Sequence, residues 1–275
     1  MRIGTVQIQV PAVMGVLNVT PDSFSDGGCF ISPEAALRRA ELLCQEGAAI
    51  IDIGGESTRP GADAVAEQEE LDRVMPVIER IHDEFDVPIS IDTGKPGVMR
   101  AAAAAGAAMI NDVYALRLEG ALDAAVDLHL PVCLMHMQGK PRTMQEDPHY
   151  DDVVADVMAF LRDRADACIE AGLAEDQLLV DPGFGFGKRP VHNIELLGNL
   201  RELRALNYPI VVGLSRKATL GDISGQGVDG RLAASLAAAV LAVVQGASIV
   251  RAHDVGATVD AIKVVRAVME TSTGL

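Results

Sequence analysis

Leu178-Leu179-Val180-Asp181-Pro182-Gly183-Phe184-Gly185-Phe186-Gly187-Lys188 opens as an apolar run and ends as a glycine-rich loop. The first three residues read as a buried parallel strand. Asp181 then stands at the carboxyl end of that strand. Gly183, Gly185 and Gly187 let the backbone turn tightly or approach a ligand. Phe184 and Phe186 can form an apolar wall. Asp181 is placed to accept hydrogen bonds from something bound at the end of a sheet, although alone it also reads as a helix cap.

The same pattern recurs along the whole chain. Apolar runs read as strands over 12–17, 50–53, 88–91, 108–110, 131–135, 178–180, 209–214 and 247–250. Each ends in polar or glycine-rich sequence, among it Asn18, Asp92, Asn111-Asp112, His136, Ser215-Arg216-Lys217 and Arg251-Ala252-His253-Asp254. Helical periodicity lies between them. In 151–171, Val153, Val154, Val157, Met158, Leu161, Ala165 and Cys168 share one face. Ser32 and Pro33 open another helix as cap and first-turn proline, and Gly47 closes it. Eight strand–helix units in 275 residues predict an α/β chain folded as a (β/α)8 TIM barrel in a single domain, 1–275. Residues 2–10 alternate like a short N-terminal β-hairpin that plugs the barrel bottom. A doubly wound open sheet is the alternative, without its usual GxGxxG fingerprint. In a barrel all eight polar ends converge on one mouth.

A net charge of −16 argues against nucleic acid and anionic membranes as partners. The acid surplus falls in 67–72 and 151–175 and reads as solvated helix faces. Against this background Arg59, Arg216, Lys217, Arg251 and His253 gather at strand ends, which suggests an anionic group on the substrate. Arg216 also reads as a surface or salt-bridged residue. Cys29, Cys44, Cys133 and Cys168 form no CxxC or paired framework, and the chain shows no signal peptide; both fit a cytoplasmic protein. The apolar stretch 232–244 is too short to span a bilayer. The histidines have no zinc-site spacing.

Two loops carry further chemistry. Asn18–Gly28 is rich in small, polar and turn-forming residues and can fold over a ligand as a lid. Asn18 is a turn residue or a neutral oxygen ligand for a hard cation such as Mg²⁺. Gly54-Gly55-Glu56-Ser57-Thr58-Arg59-Pro60-Gly61 combines glycines, hydroxyls and a cation, and suits an anion.

Taken together, Asn18–Gly28, Asp52–Gly61, Ser90–Thr93, Ile110–Asp112, Leu134–Gly139 with Thr143–Gln145, Asp181–Lys188, Ser215–Lys217 and Arg251–Asp254 resemble the dihydropteroate synthases along essentially the whole chain. The resemblance implies condensation of a dihydropterin pyrophosphate with 4-aminobenzoate, in folate biosynthesis, on a TIM barrel. A pterin carries an amidine-like edge that a carboxylate can meet with two parallel hydrogen bonds. Asp181 suits that role, Asn111 the neighbouring ring edge and Lys217 the carbonyl and ring nitrogen. The resemblance makes Asp92 a second pterin acid, and Arg251 with His253 the pyrophosphate pair. Departure of pyrophosphate leaves a conjugated cation, so Mg²⁺, Asn18, Thr58, Arg251 and His253 would serve the leaving anion, and Asp92 with Asp26 the cation. Asp92, Asp26 and Lys217 are thus the catalytic candidates. Phe24, Arg59, Pro60, Phe186 and Ser215 are the candidates for the 4-aminobenzoate pocket, where sulfonamides would also bind. His136 touches ligand or anchors a loop. The resemblance further implies a homodimer through helices around 192–206, 230–245 and 257–269. Competing readings are a methyltetrahydrofolate methyltransferase domain and a pterin binder without catalysis.

Overall fold

The computed structural model describes residues 1–20, 32–59 and 61–272. Phe24, Asp26, Cys29 and Pro60, singled out above, lie outside them. The chain opens with two short antiparallel strands, β1 (Arg2–Ile3) and β2 (Val6–Gln7). Eight parallel strands follow: β3 (Ala12–Asn18), β4 (Ile50–Gly54), β5 (Ile89–Asp92), β6 (Ala107–Asp112), β7 (Val132–Met135), β8 (Leu178–Asp181), β9 (Val211–Val212) and β10 (Ile249–Ala252). They pair in the order β8-β7-β6-β5-β4-β3-β10-β9, and a bridge from Val180 to Ile210 closes the ring. The expected barrel and hairpin are therefore present. The seventh expected run, 209–214, narrows to a two-residue strand with Ile210 bridged beside it, because Gly213 and Leu214 leave the ladder for the loop beyond.

The helices are α1 (Pro33–Gln45), α2 (Glu67–Glu84), α3 (Pro96–Ala104), α4 (Ala121–Leu128), α5 (Val153–Glu170), α6 (Pro190–Gly198), α7 (Ala218–Ser224), α8 (Leu232–Val244) and α9 (Val255–Ser272). Ser32 caps α1 through a 3.3 Å bond from the Ala35 amide, and Gly47 follows with φ +95°. The helix expected over 192–206 is divided: α6 ends at Gly198 and a 3-10 segment, Leu200–Leu206, continues. Among the described residues no helix is long and apolar enough to cross a membrane.

Strand parity positions the site. Ile51, Ile53, Ile91, Ile110, Leu134, Val180 and Val250 join the core shared with the helices. Their neighbours point the other way, as successive strand side chains must. Met14, Ile50, Met109, Cys133, Leu179, Val211 and Ile249 fill the barrel interior, with Ile3 and Ile8 of the N-terminal segment packed among them. The hairpin thus plugs the amino-terminal end. Two residues further along the same strands, the inward positions become Asp52, Asn111, Asp181 and Arg251. An apolar floor therefore carries a polar layer at the carboxyl ends.

Candidate active site

Arg251 organises the centre of that layer. Its Nε donates to Asp52 Oδ2 at 2.6 Å and its Nη2 to Asp92 Oδ2 at 2.8 Å. Asn111 Nδ2 donates to the same Asp52 oxygen at 3.1 Å. Register explains the cluster: Gly54 pairs with Asp92, and Asp92 with Asn111. Asp52 is fully buried and Asp92 nearly so. Burial raises the Asp92 carboxyl to about 7, against the pull of Arg251 and with the help of Asp52. No described residue hydrogen-bonds the buried Asp92 Oδ1, which leaves an acceptor for a ligand. Asn18 Oδ1 and Asp92 Oδ2 would lie 3.6 Å and 3.7 Å from a Cβ built on Gly54, so both side chains stand beside this strand end.

Asp181 is held by its own loop. Gly183 N–H donates to its Oδ1 at 2.7 Å. Burial raises its pKa to about 6, opposed by that bond and then by Lys217, Lys188 and Arg251. Gly183 has φ +68°, and a Cβ there would meet the His136 carbonyl oxygen at 1.9 Å. The loop between β8 and α6 can therefore follow this path only as glycine. Beneath it Lys188 Nζ contacts His136 Nδ1 at 2.8 Å and donates to the carbonyls of Gly183 at 2.9 Å and Phe186 at 3.2 Å. Burial, then the charge of Lys188, lowers His136 to about 2, so its ring is neutral. Of the two expected roles for His136, the observed contacts are those of a loop anchor.

Lys217 lies just before α7, with Nζ 4.2 Å from the Phe186 ring centroid. Burial and then Arg251 lower its pKa to about 8. His253 completes the rim. Ser215 Oγ accepts from the His253 amide at 3.2 Å and meets its Nδ1 at 3.1 Å. That hydroxyl can give its hydrogen to Nδ1 or accept one from it, and the first arrangement leaves the ring N–H on Nε2. Burial, followed by Arg251, lowers His253 to about 4, so at neutral pH its ring is uncharged. Thr58 is half-buried and Arg59 exposed in the loop after β4.

The structure brings together Asp92, Asn111, Asp181, Lys217, Arg251, His253, Ser215 and Phe186. Arg216 is instead bound by both carboxylate oxygens of Asp254, at 3.0 Å and 2.6 Å. Two readings need correction. Glu70 is not on a solvated face: it is fully buried and ion-paired with Lys95. The cationic mouth is also less positive than its cations suggest, because Arg251 already serves two acids. Asp52 and Lys188 went unassigned above. An acid inside the run Ile50-Ile51-Asp52-Ile53 was the available signal for the first. For Lys188 the local sequence held only part of the signal: its carbonyl partners Gly183 and Phe186 lie in its own loop, but His136 comes from the end of β7.

Among the described residues no group of three or more His, Cys, Asp or Glu is arranged for a metal ion. Asn18 offers a single neutral oxygen. That suits Mg²⁺ carried largely by substrate phosphates and not an all-protein cage.

Residues 14–253 match the family described as pterin binding enzyme. The dihydropteroate synthase of Haemophilus influenzae is 54% identical over 257 residues, covering 94% of each chain. That of Escherichia coli is 54% identical over 259 residues, covering 94% of this chain and 92% of its own. Among solved structures, a Yersinia pestis dihydropteroate synthase with a sulfonamide drug complex superposes with a TM-score of 0.95 at 49% identity, covering 98% and 99% of the two chains. A Xanthomonas albilineans dihydropteroate synthase in complex with 7,8-dihydropteroate gives 0.87 at 50% identity, covering 96% and 95%.

Proposed function

This chain belongs to the pterin binding enzyme family, and from that premise we propose how its residues carry the reaction. The activity is that of a dihydropteroate synthase: a dihydropterin pyrophosphate and 4-aminobenzoate give 7,8-dihydropteroate and pyrophosphate. The methyltransferase and non-catalytic readings are not favoured by these relatives. The polar layer of Asp92, Asn111, Asp181 and Arg251 above an apolar floor, with Lys217 at its edge before α7, carries the residue assignments.

In this reading Asp181 accepts the pterin's amidine-like N–H groups. Asp92 Oδ1 accepts a second ring donor, Asn111 reads the adjacent edge, and Lys217 donates to the carbonyl. The C–O bond to pyrophosphate breaks first, and the carboxylates of Asp92 and Asp26 offset the cation left on the pterin methylene. Arg251 and His253, with Thr58, receive the departing anion. Mg²⁺, held by Asn18 and the phosphates, would neutralise phosphate charge. The amine of 4-aminobenzoate attacks as a neutral nucleophile and then releases its proton, so no strong base is needed. Phe24, Arg59, Pro60, Phe186 and Ser215 would form its pocket. Mixing the chain with the two substrates and Mg²⁺ should yield dihydropteroate and pyrophosphate in equal amounts. Pyrophosphate without dihydropteroate would contradict the condensation.

The raised carboxyls give a pH dependence. Pterin donors need the ionised form of Asp181, whose pKa in the free protein is about 6, and of Asp92, at about 7. Both ionise fully only above these values, so affinity falls as pH drops through 7 and then 6. Below pH 6 each unit should cost about tenfold for each carboxylate that must lose a proton. Calorimetry with a pterin ligand between pH 5 and 8 reads this directly. A flat profile would exclude carboxylate pairing to the ring.

We propose that the single barrel domain acts in the cytoplasm as a homodimer. Val191, Ile194, Ile223, Leu241, Val244 and Val264 are exposed apolar residues on α6 to α9. Pairing this side would bury them and leave both mouths open. Sedimentation at micromolar concentration should give twice the chain mass of 29.0 kDa. A monomer would remove the claim.

A further inference from the structure

We propose that Lys95 is a positioning residue for the loop that carries Thr58 and Arg59, acting through Glu56. What that loop holds rests on the substrate reading above. Lys95 follows β5 and immediately precedes α3. Its Nζ is hydrogen-bonded to both Glu56 Oε2 and Glu70 Oε2. Glu70 is fully buried on α2, and Lys95 and Glu56 are largely buried. One ammonium therefore ties three parts of the barrel: the loop after β4, helix α2 and the end of β5.

Glu56 transmits the tie. Its second oxygen, Oε1, accepts the Val65 N–H at 3.2 Å. One carboxylate thus joins the two ends of the 56–65 segment, with Thr58 and Arg59 between. The root of the segment is fixed as well. Arg73 Nη1 donates to the Gly55 carbonyl at 2.6 Å. A Cβ on Gly55 would lie 2.7 Å from Val74 Cγ1 and 3.0 Å from Glu70 Cγ, so the backbone rests directly on α2. Without the ammonium, Glu56 and Glu70 would repel each other at the same place, and Glu56 would lose its reason to point inward. The Asp181 loop has a separate support in Lys188 and His136. Removing Lys95 therefore disturbs the anion and 4-aminobenzoate side while sparing the pterin ring site.

Lys95→Met alone leaves a buried carboxylate without its cation and risks unfolding. Lys95→Met with Glu70→Gln removes both charges and carries the test, with Lys95→Arg as the conservative control. Amide exchange over residues 56–59 and 61–65 should quicken by about tenfold or more in the double variant, with 181–188 unchanged. KM for 4-aminobenzoate should rise about tenfold, and kcat should fall by a smaller factor, because Thr58 on the same loop serves the departing anion. Affinity for a dihydropterin without phosphates, measured at about pH 8 where Asp92 is ionised whether or not Glu70 is charged, should stay within about twofold, because its hydrogen-bonding partners are untouched. Lys95→Arg should restore the exchange pattern. Unchanged exchange over 56–65, equal quickening at 181–188, or equal losses for both ligands would overturn the proposal. Lack of turnover in the parent protein would contradict the function reading, while the exchange comparison would still decide the role of Lys95.

Discussion

Asp181→Asn should weaken pterin binding by about 2–4 kcal/mol, roughly thirty- to thousand-fold, while the protein stays folded. Asp181 Oδ1 is committed to the Gly183 amide at 2.7 Å. In the asparagine variant the side-chain carbonyl keeps that bond, because only an oxygen can accept it. The amide nitrogen must then take the other position and face the ligand's N–H groups with hydrogens of its own. A charge-assisted acceptor becomes a donor opposed to donors. Stability should change little, since burying the Asp181 carboxylate is already unfavourable, as its raised pKa of about 6 records. Calorimetry with a pterin ligand, beside a thermal melt, separates the two effects. Unchanged affinity in a folded variant would show that Asp181 is not the ring anchor.

Arg251→Met should lower folding stability by about 3–5 kcal/mol, because it removes the cation from two buried carboxylates. Asp52 has no exposed surface, and Arg251 contacts it at 2.6 Å and Asp92 at 2.8 Å. These contacts join β10 to β4 and β5 across the barrel interior. The methionine fills the volume but leaves Asp52 with the Asn111 amide as its sole hydrogen-bond donor among the described residues. Urea unfolding would measure the loss. Adding Asp52→Asn should recover about half or more of it, because the more deeply buried charge is then gone. A loss below about 1 kcal/mol would mean that the carboxylates are compensated without Arg251. The variant should also push the Asp92 pKa above its present value of about 7, since Arg251 is the principal group holding it down.

These two residues differ in how far they could be read in advance. Asp181 was legible because its signal is local: three apolar residues, an acid, and glycines that must turn the chain. The eight strands were legible for the same reason. A strand buried on both faces is an apolar run, and its end is where that run stops. The layered interior follows from parity, so Ile50 and Asp52, or Ile249 and Arg251, had to share a side once the strands were set. The short parallel strand β9 was harder. Val211–Val212 pair fully, whereas the apolar sequence around them runs longer, and only neighbouring strands decide where a ladder stops.

Sequence by itself determined the barrel, its direction, its mouth and the residue types assembled there, since periodicity and strand-end chemistry are properties of consecutive residues. Only the tertiary structure decided who pairs with whom. Arg251 and Asp52 are 199 residues apart, and Lys95 and Glu56 are 39 apart. Nothing in either neighbourhood announces the other. A free cation and a neutralised one have the same letter in the chain. Their pKa values, tautomers and roles are set by distances of about 3 Å that exist only after folding brings the strand ends together.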